Sequence, residues 1–93
     1  MALIQAIREK HVVSFFYDGY QRTVEPHALG IDTQDNEALC AWQLTGKPGA
    51  FPAWRFYLVS KMNGITVQAS TFPRPRDGYS KNDERLRNIY AQL

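Results

Sequence analysis

Cysteine is nearly absent from this 93-residue chain: Cys40 stands alone, so no intramolecular disulfide can staple the fold and no second thiol sits at metal-ligand spacing. A reducing compartment, and hence a cytoplasmic location, is the expected setting. Long hydrophobic runs are missing too. Met1 to Lys10 interrupt their apolar stretches with Gln5, Arg8 and Glu9, which argues against a signal peptide or a membrane span, and so against a membrane partner. Internal repeats and low-complexity tracts are lacking, while 44% hydrophobic and 13% aromatic residues suffice for a packed core. The length fits one domain, residues 1–93, and a domain of this size buries only ~60% of its unfolded surface.

Net charge is also scarce. A formal +2 is too small to specify nucleic acid by charge alone. Its distribution is uneven, with four Lys/Arg against six Asp/Glu in residues 1–50 and seven against three in residues 51–93. The densest basic stretch, Arg74, Arg76, Lys81, Arg85 and Arg87, is interleaved with Phe72 and Tyr79. That composition suits a groove for single-stranded nucleic acid, but it equally suits a solvated helix on which Asp83 and Arg87 pair at i, i+4.

Chemistry-bearing clusters are missing as well. His27 follows Pro26 with no His or Cys at zinc-finger spacing, so it reads as a turn residue rather than a metal ligand. Cys40 lies in an apolar run, where a thiol is a small buried hydrophobe with nothing beside it in sequence to stabilise a thiolate. Glu25, Glu37 and the aspartates have no spacing that would bring two carboxylates together. The expectation is a protein that is not an enzyme and has no catalytic residue, no metal and no cofactor.

What is present reads as β structure. Leu3, Ile4 and Ile7 share one helical stripe, which predicts a short amphipathic helix from Ala2 to about Lys10. Val12–Tyr17 and Gln21–Glu25 flank Asp18-Gly19, a strong hairpin signal. Pro26 should end that ladder, with extended structure resuming over Ala28–Asp32. Thr33–Asn36 is a polar turn, Ala38–Leu44 a central strand, and Thr45–Pro52 an exposed loop rich in glycine and proline. Trp54–Lys61 and Ile65–Ala69 flank Asn63-Gly64 and so predict a second hairpin. After an extended connector, Phe72–Gly78, the spacing of Leu86, Ile89, Tyr90 and Leu93 predicts a C-terminal helix capped at Asn82. The expected fold is mainly β (α+β): a small, strongly bent antiparallel five-stranded barrel over about residues 12–69, with a short helix at each end and the connector and second helix in about 70–93.

Several of these residues occur in a familiar order. Ala6-Ile7, Tyr17, Arg22, Val24-Glu25-Pro26, and then Arg55, Tyr57, Val59, Lys61 and Met62 resemble the pattern of WYL domains over about residues 3–69. Glu37-Ala38-Leu39 stands where the tripeptide that names the family would fall, Ser60 replaces its usual Asp, and Lys61 replaces an Arg. The resemblance implies an Sm-like barrel, and a non-catalytic regulatory module of bacterial proteins that binds a ligand such as a nucleotide or nucleic-acid fragment. It maps Arg22, Arg55 and Lys61, with the aromatic residues Tyr17 and Tyr57, onto a basic and aromatic binding face. No DNA-reading helix accompanies that face, so a regulator role requires a partner protein. The alternative is an interaction subunit that docks on a second copy or a partner regulator through strand edges and the C-terminal helix.

Along one strand, Arg55, Tyr57, Val59 and Lys61 should share a side, placing cations at both ends of an apolar stripe. A flat anionic ligand needs that arrangement: charge for its phosphate and a π-face for its base. Arg22 and Glu25, three apart, should lie on opposite faces and leave Arg22 available.

Overall fold

In the computed structural model, which describes residues 2–49 and 52–93, one helix precedes six strands: α1 (Ala2–Glu9), β1 (His11–Tyr17), β2 (Tyr20–Asp32), β3 (Glu37–Thr45), β4 (Ala53–Leu58), β5 (Asn63–Thr71) and β6 (Leu86–Gln92). All pair antiparallel in one sheet of order β4-β3-β2-β1-β5, and β6 joins it at β2. The mainly β expectation holds. The sheet does not close, because β4 and β5 end the strand order and no ladder among the described residues joins them. Residues 50 and 51 of the expected loop lie outside the described residues. No helix of the described residues is long and apolar enough to cross a membrane.

The first hairpin forms as its turn chemistry dictates. Asp18 and Gly19 both take positive φ, 50° and 87°, and Tyr17 faces Tyr20 across the turn. Past that point β2 departs from expectation, because it continues through Pro26. Two neighbours share one of its edges: β1 pairs up to Val24 and β6 takes over at Ala28. Pro26 falls in the interval, where no partner on that edge asks for the N–H it lacks. On the other edge β3 pairs from Thr23 to Ile31, with one register shift between Thr23 and Val24 and a bulge where Pro26↔Ala41 is followed by Ala28↔Cys40.

The bulge has a consequence for the core. Val24 and Leu29 are five apart, so an unbulged strand would aim them at opposite faces, yet both are buried in the cluster under α1. His27 is the inserted residue that restores the phase. The α1 face gathers Leu3, Ile7, Val13, Phe15, Val24, Leu29, Leu39 and Tyr57. Burying Leu3 and Ile7 of the amphipathic helix contributes roughly 1.5–3 kcal/mol each, which is what holds so short a helix in place. The opposite face is smaller, built on Ala28, Ala38, Cys40 and Leu86 with Trp54, Phe56, Leu58 and Ile89, and the connector after β5 runs past it.

Two expected elements are corrected. Trp54–Lys61 does not form a hairpin with Ile65–Ala69: β4 stops at Leu58, Val59–Lys61 make a 3₁₀ turn closed by the Met62 N–H on the Val59 carbonyl at 3.0 Å, and β5 pairs with β1. The turn buries Met62 in the core, and that outweighs the Asn63-Gly64 signal. The C-terminal helix is strand β6, so the sheet has six strands rather than five and one helix rather than two. In β6 the partner of Asp32 is Leu86 and the partner of Gly30 is Ile89, with bulges that leave Arg87 and Tyr90 as extra residues. Leu86 and Ile89 therefore face the same way although three apart, which mimics a helical stripe. Gly30 admits this strand: a Cβ there would lie 2.0 Å from the Asn88 carbonyl oxygen.

Candidate functional site

The β1–β2 turn brings Arg22 back opposite Phe15, on the α1 face of the sheet beside Tyr17. Its Nε and Nη2 both donate to the Tyr17 carbonyl, at 3.2 and 3.0 Å, and its Nη1 donates to Gln43 Oε1 at 3.0 Å. Gln43 is buried, and its Oε1 also accepts the Tyr57 hydroxyl at 2.5 Å. The Tyr17 hydroxyl in turn accepts the Leu58 N–H at 3.1 Å, and the Tyr17 and Tyr57 rings meet edge-on at 4.9 Å. These bonds orient the guanidinium without neutralising it, and each terminal nitrogen retains an uncommitted N–H. No ion pair among the described residues involves Arg22.

Arg55 lies two residues before Tyr57 in β4, on the same side of the sheet, and is exposed. Its Nη1 reaches only the Trp54 carbonyl, at 3.3 Å. Burial pushes the Tyr57 phenol above its usual pKa, and the positive charges of both Arg22 and Arg55 oppose that shift. Both guanidiniums are thus within electrostatic reach of one buried hydroxyl. Lys61 is not in register with them, since β4 ends before it; it is exposed on the 3₁₀ turn and makes no hydrogen bond to the cluster. Tyr57 is only 2% exposed, so it supports the site from below and offers no face for stacking; Tyr17 is half-buried, and Arg22 lies 5.7 Å from its ring centroid. The expected residues Arg22, Tyr17 and Tyr57 are therefore one bonded cluster with Arg55 beside it, and Lys61 stands apart.

A second constellation occupies the opposite face, and sequence reasoning missed it. His27, expected in a turn, is fully buried in β2. Its ring stacks on Phe72 at 5.4 Å and meets Trp54 at 4.7 Å and Tyr79 at 5.1 Å. Nδ1 is 2.8 Å from the Glu25 carbonyl and Nε2 is 3.0 Å from the Arg76 N–H. A carbonyl only accepts and a backbone N–H only donates, so the ring is neutral with its proton on Nδ1. Burial accordingly lowers its pKa below the ordinary histidine value, against the raising influence of the Glu25 carbonyl and carboxylate. Beside it Arg76 grips the buried Glu25 carboxylate through Nε at 2.6 Å and Nη2 at 3.2 Å, and lies over Trp42 at 5.5 Å. The signal available in the sequence was His27 just ahead of the apolar run Ala28 to Ile31.

Between this face and residues 78–85 lies a groove of about 630 Å³, lined by Cys40, Trp54, Tyr79, Lys81, Asp83 and Arg85 among others. Two of its charges are spent on each other. Asp83 and Arg85 bond at 2.6 Å, not Asp83 and Arg87 as helical spacing predicts, and Arg85 lies 4.5 Å from the Phe56 ring centroid. Arg87 pairs with Asp35. Cys40 is buried, and burial pushes its thiol pKa up, which keeps it a poor nucleophile. No group of three or more His, Cys, Asp or Glu among the described residues is placed to hold a metal.

Comparison with protein-family models, curated proteins and solved structures finds no match in any of the three.

Proposed function

We propose that this chain is a non-catalytic ligand-binding or regulatory module of WYL type, whose Arg22 and Arg55 receive an anionic ligand such as a nucleotide or single-stranded nucleic acid. The carrying observation is that these guanidiniums flank the Tyr17–Tyr57 pair without a carboxylate partner among the described residues, whereas Arg76, Arg85 and Arg87 each have one. An oriented but uncompensated guanidinium is a ready donor for phosphate or carboxylate. Tyr17 and Tyr20, both close to Arg22, supply π-faces for a base, and Lys61 on the neighbouring turn adds to the field. The Sm-like part of the proposal rests on one short helix ahead of five antiparallel strands whose first and last members, β1 and β5, pair.

Titration of labelled nucleotides and oligonucleotides at two salt concentrations tests this. Binding should weaken as salt rises, and Arg55→Ala should lose roughly tenfold or more in affinity, the worth of a hydrogen bond to a charged group. No binding at low salt, or unchanged affinity in Arg55→Ala, sinks the proposal.

A second reading, an interaction subunit, is favoured by β5 alone. This nine-residue edge strand, Asn63–Thr71, carries no charged residue and exposes Ile65 and Val67. Natural edges are usually blunted by charge, and this one is not, so it suits pairing with the same edge of a second copy. Sedimentation should then show a dimer that Val67→Lys dissociates. The C-terminal segment enters this reading as a strand rather than a helix, with one edge paired on β2.

A further inference from the structure

The geometry points to a proton-operated latch: protonation of His27 on its Nε2 releases the middle of the connector, residues 73–81, from the sheet and widens the groove above Cys40 and Trp54. This does not depend on what the Arg22 cluster binds.

The connector has no strand or helix of its own, and its two ends are fixed without His27: the Phe72 N–H donates to the Lys10 carbonyl at 2.9 Å, Asn82 and Gln92 exchange two hydrogen bonds, and Arg85 lies over the Phe56 ring. Phe72 is buried against the His27 ring, the Arg76 N–H ends on His27 Nε2, the Arg76 side chain ends on Glu25, and the Tyr79 hydroxyl reaches the His27 carbonyl at 3.5 Å. Between the fixed ends, every hydrogen bond from the connector to the sheet therefore involves His27 or the residue two before it. Moreover, Nε2 is the acceptor of a backbone N–H that cannot turn away. A proton on Nε2 would set donor against donor there and would place a cation in an aromatic enclosure of Phe72, Trp54 and Tyr79.

The charged and titratable groups facing the ring are few. From β2 there is Glu25, which favours the proton; from the connector there are Arg76, which opposes it, and Tyr79. From β4 only Trp54 faces it, and Cys40 and Asp83 lie beyond it, next to Tyr79. Glu25 is already committed to Arg76 through two bonds, so it does not offset the new charge fully.

The sign follows from linkage. In the released state His27 regains the ordinary histidine pKa of about 6.5, whereas in the latched state its pKa is lower, so acid favours release. Above about pH 6.5 the opening equilibrium should not depend on pH. Below it, and until the latched ring itself titrates, opening should rise about tenfold per pH unit, as one linked proton requires.

Hydrogen exchange of peptides covering residues 73–81, corrected for the intrinsic pH dependence of exchange, reads this directly between about pH 5 and 7.5. Both tryptophans report as well, since Trp42 lies under Arg76 and Trp54 against His27. The expected result is the tenfold slope confined to residues 73–81, with β1–β3 still protected, and a matching change in tryptophan emission. His27→Phe should be looser at every pH but without the slope. His11→Gln, which alters the only other histidine, should behave as the unmodified chain does. A flat profile in the unmodified chain, the slope surviving in His27→Phe, or β1–β3 opening together with the connector would each overturn the latch. Should His27→Phe not fold, an NMR titration of the unmodified chain decides: a His27 ring that titrates at the ordinary value while the connector stays protected also overturns it.

Discussion

The two faces of the sheet use arginine in opposite ways. On the α1 face, Arg22 is steered by neutral oxygens and Arg55 touches a single carbonyl, so both keep their charge for something else. On the connector face and along β6, Arg76, Arg85 and Arg87 are each clamped to a carboxylate, and two of them also cover an aromatic ring. Three of the five residues in the most basic stretch of the sequence are thus structural fasteners, while the isolated Arg22 and Arg55 keep their charge uncompensated. Local charge density is a poor guide to a binding face unless the acids that answer it are also placed.

The largest perturbation of this contrast is Gly30→Val. Any Cβ at residue 30 meets the Asn88 carbonyl, so β6 must leave β2, and the loss should reach about 3 kcal/mol or more in urea unfolding. If the connector face alone melts and the α1 face remains, the two are separable; loss of both together makes them one cooperative unit. Glu25→Ala comes next. It strips Arg76 of its partner, but Arg76 is 45% exposed and can rehydrate, so about 1–2 kcal/mol is expected from the same measurement, with Arg22 ligand binding unchanged. Tyr57→Phe removes one of the two donors on Gln43 Oε1 and should cost about 1 kcal/mol while loosening the orientation of Arg22, which a weaker ligand titration would report. Smallest are Arg87→Ala and Arg55→Ala, each within about 0.5 kcal/mol in stability. Only Arg55→Ala should alter anion binding, and equal effects from both would erase the distinction between the faces.

Much of the fold was legible, for reasons that can be located. Asp18-Gly19 specified its hairpin because positive φ at both residues is demanded locally, and the helix stripe Leu3, Ile7 matched a buried face. The failures share a cause. Bulges at His27, Arg87 and Tyr90 change the phase of side chains along a strand, so an argument from strict alternation or helical spacing misassigns whatever follows them. Asn63-Gly64 misled because pairing is decided by which strand lies alongside, and β1 was there. Of the site, Arg22, Tyr17 and Tyr57 were grouped only through the resemblance to WYL domains. Gln43, which binds two of them together, carried no signal beyond being a polar residue in an apolar run. Gly30 did carry one: a glycine amid buried strand residues marks the approach of another backbone.

The shared edge of β2 also sets a timetable for synthesis. Ala28 to Asp32 are made long before Leu86 to Gln92, the residues that cover that edge. At ribosomal speeds of about 5–20 residues per second, the half-finished sheet waits several seconds with Leu29 wet and its backbone unpaired on one side. During that interval the nascent chain offers an adhesive flank that the mature molecule conceals, and a chaperone that shields extended segments would find its substrate there.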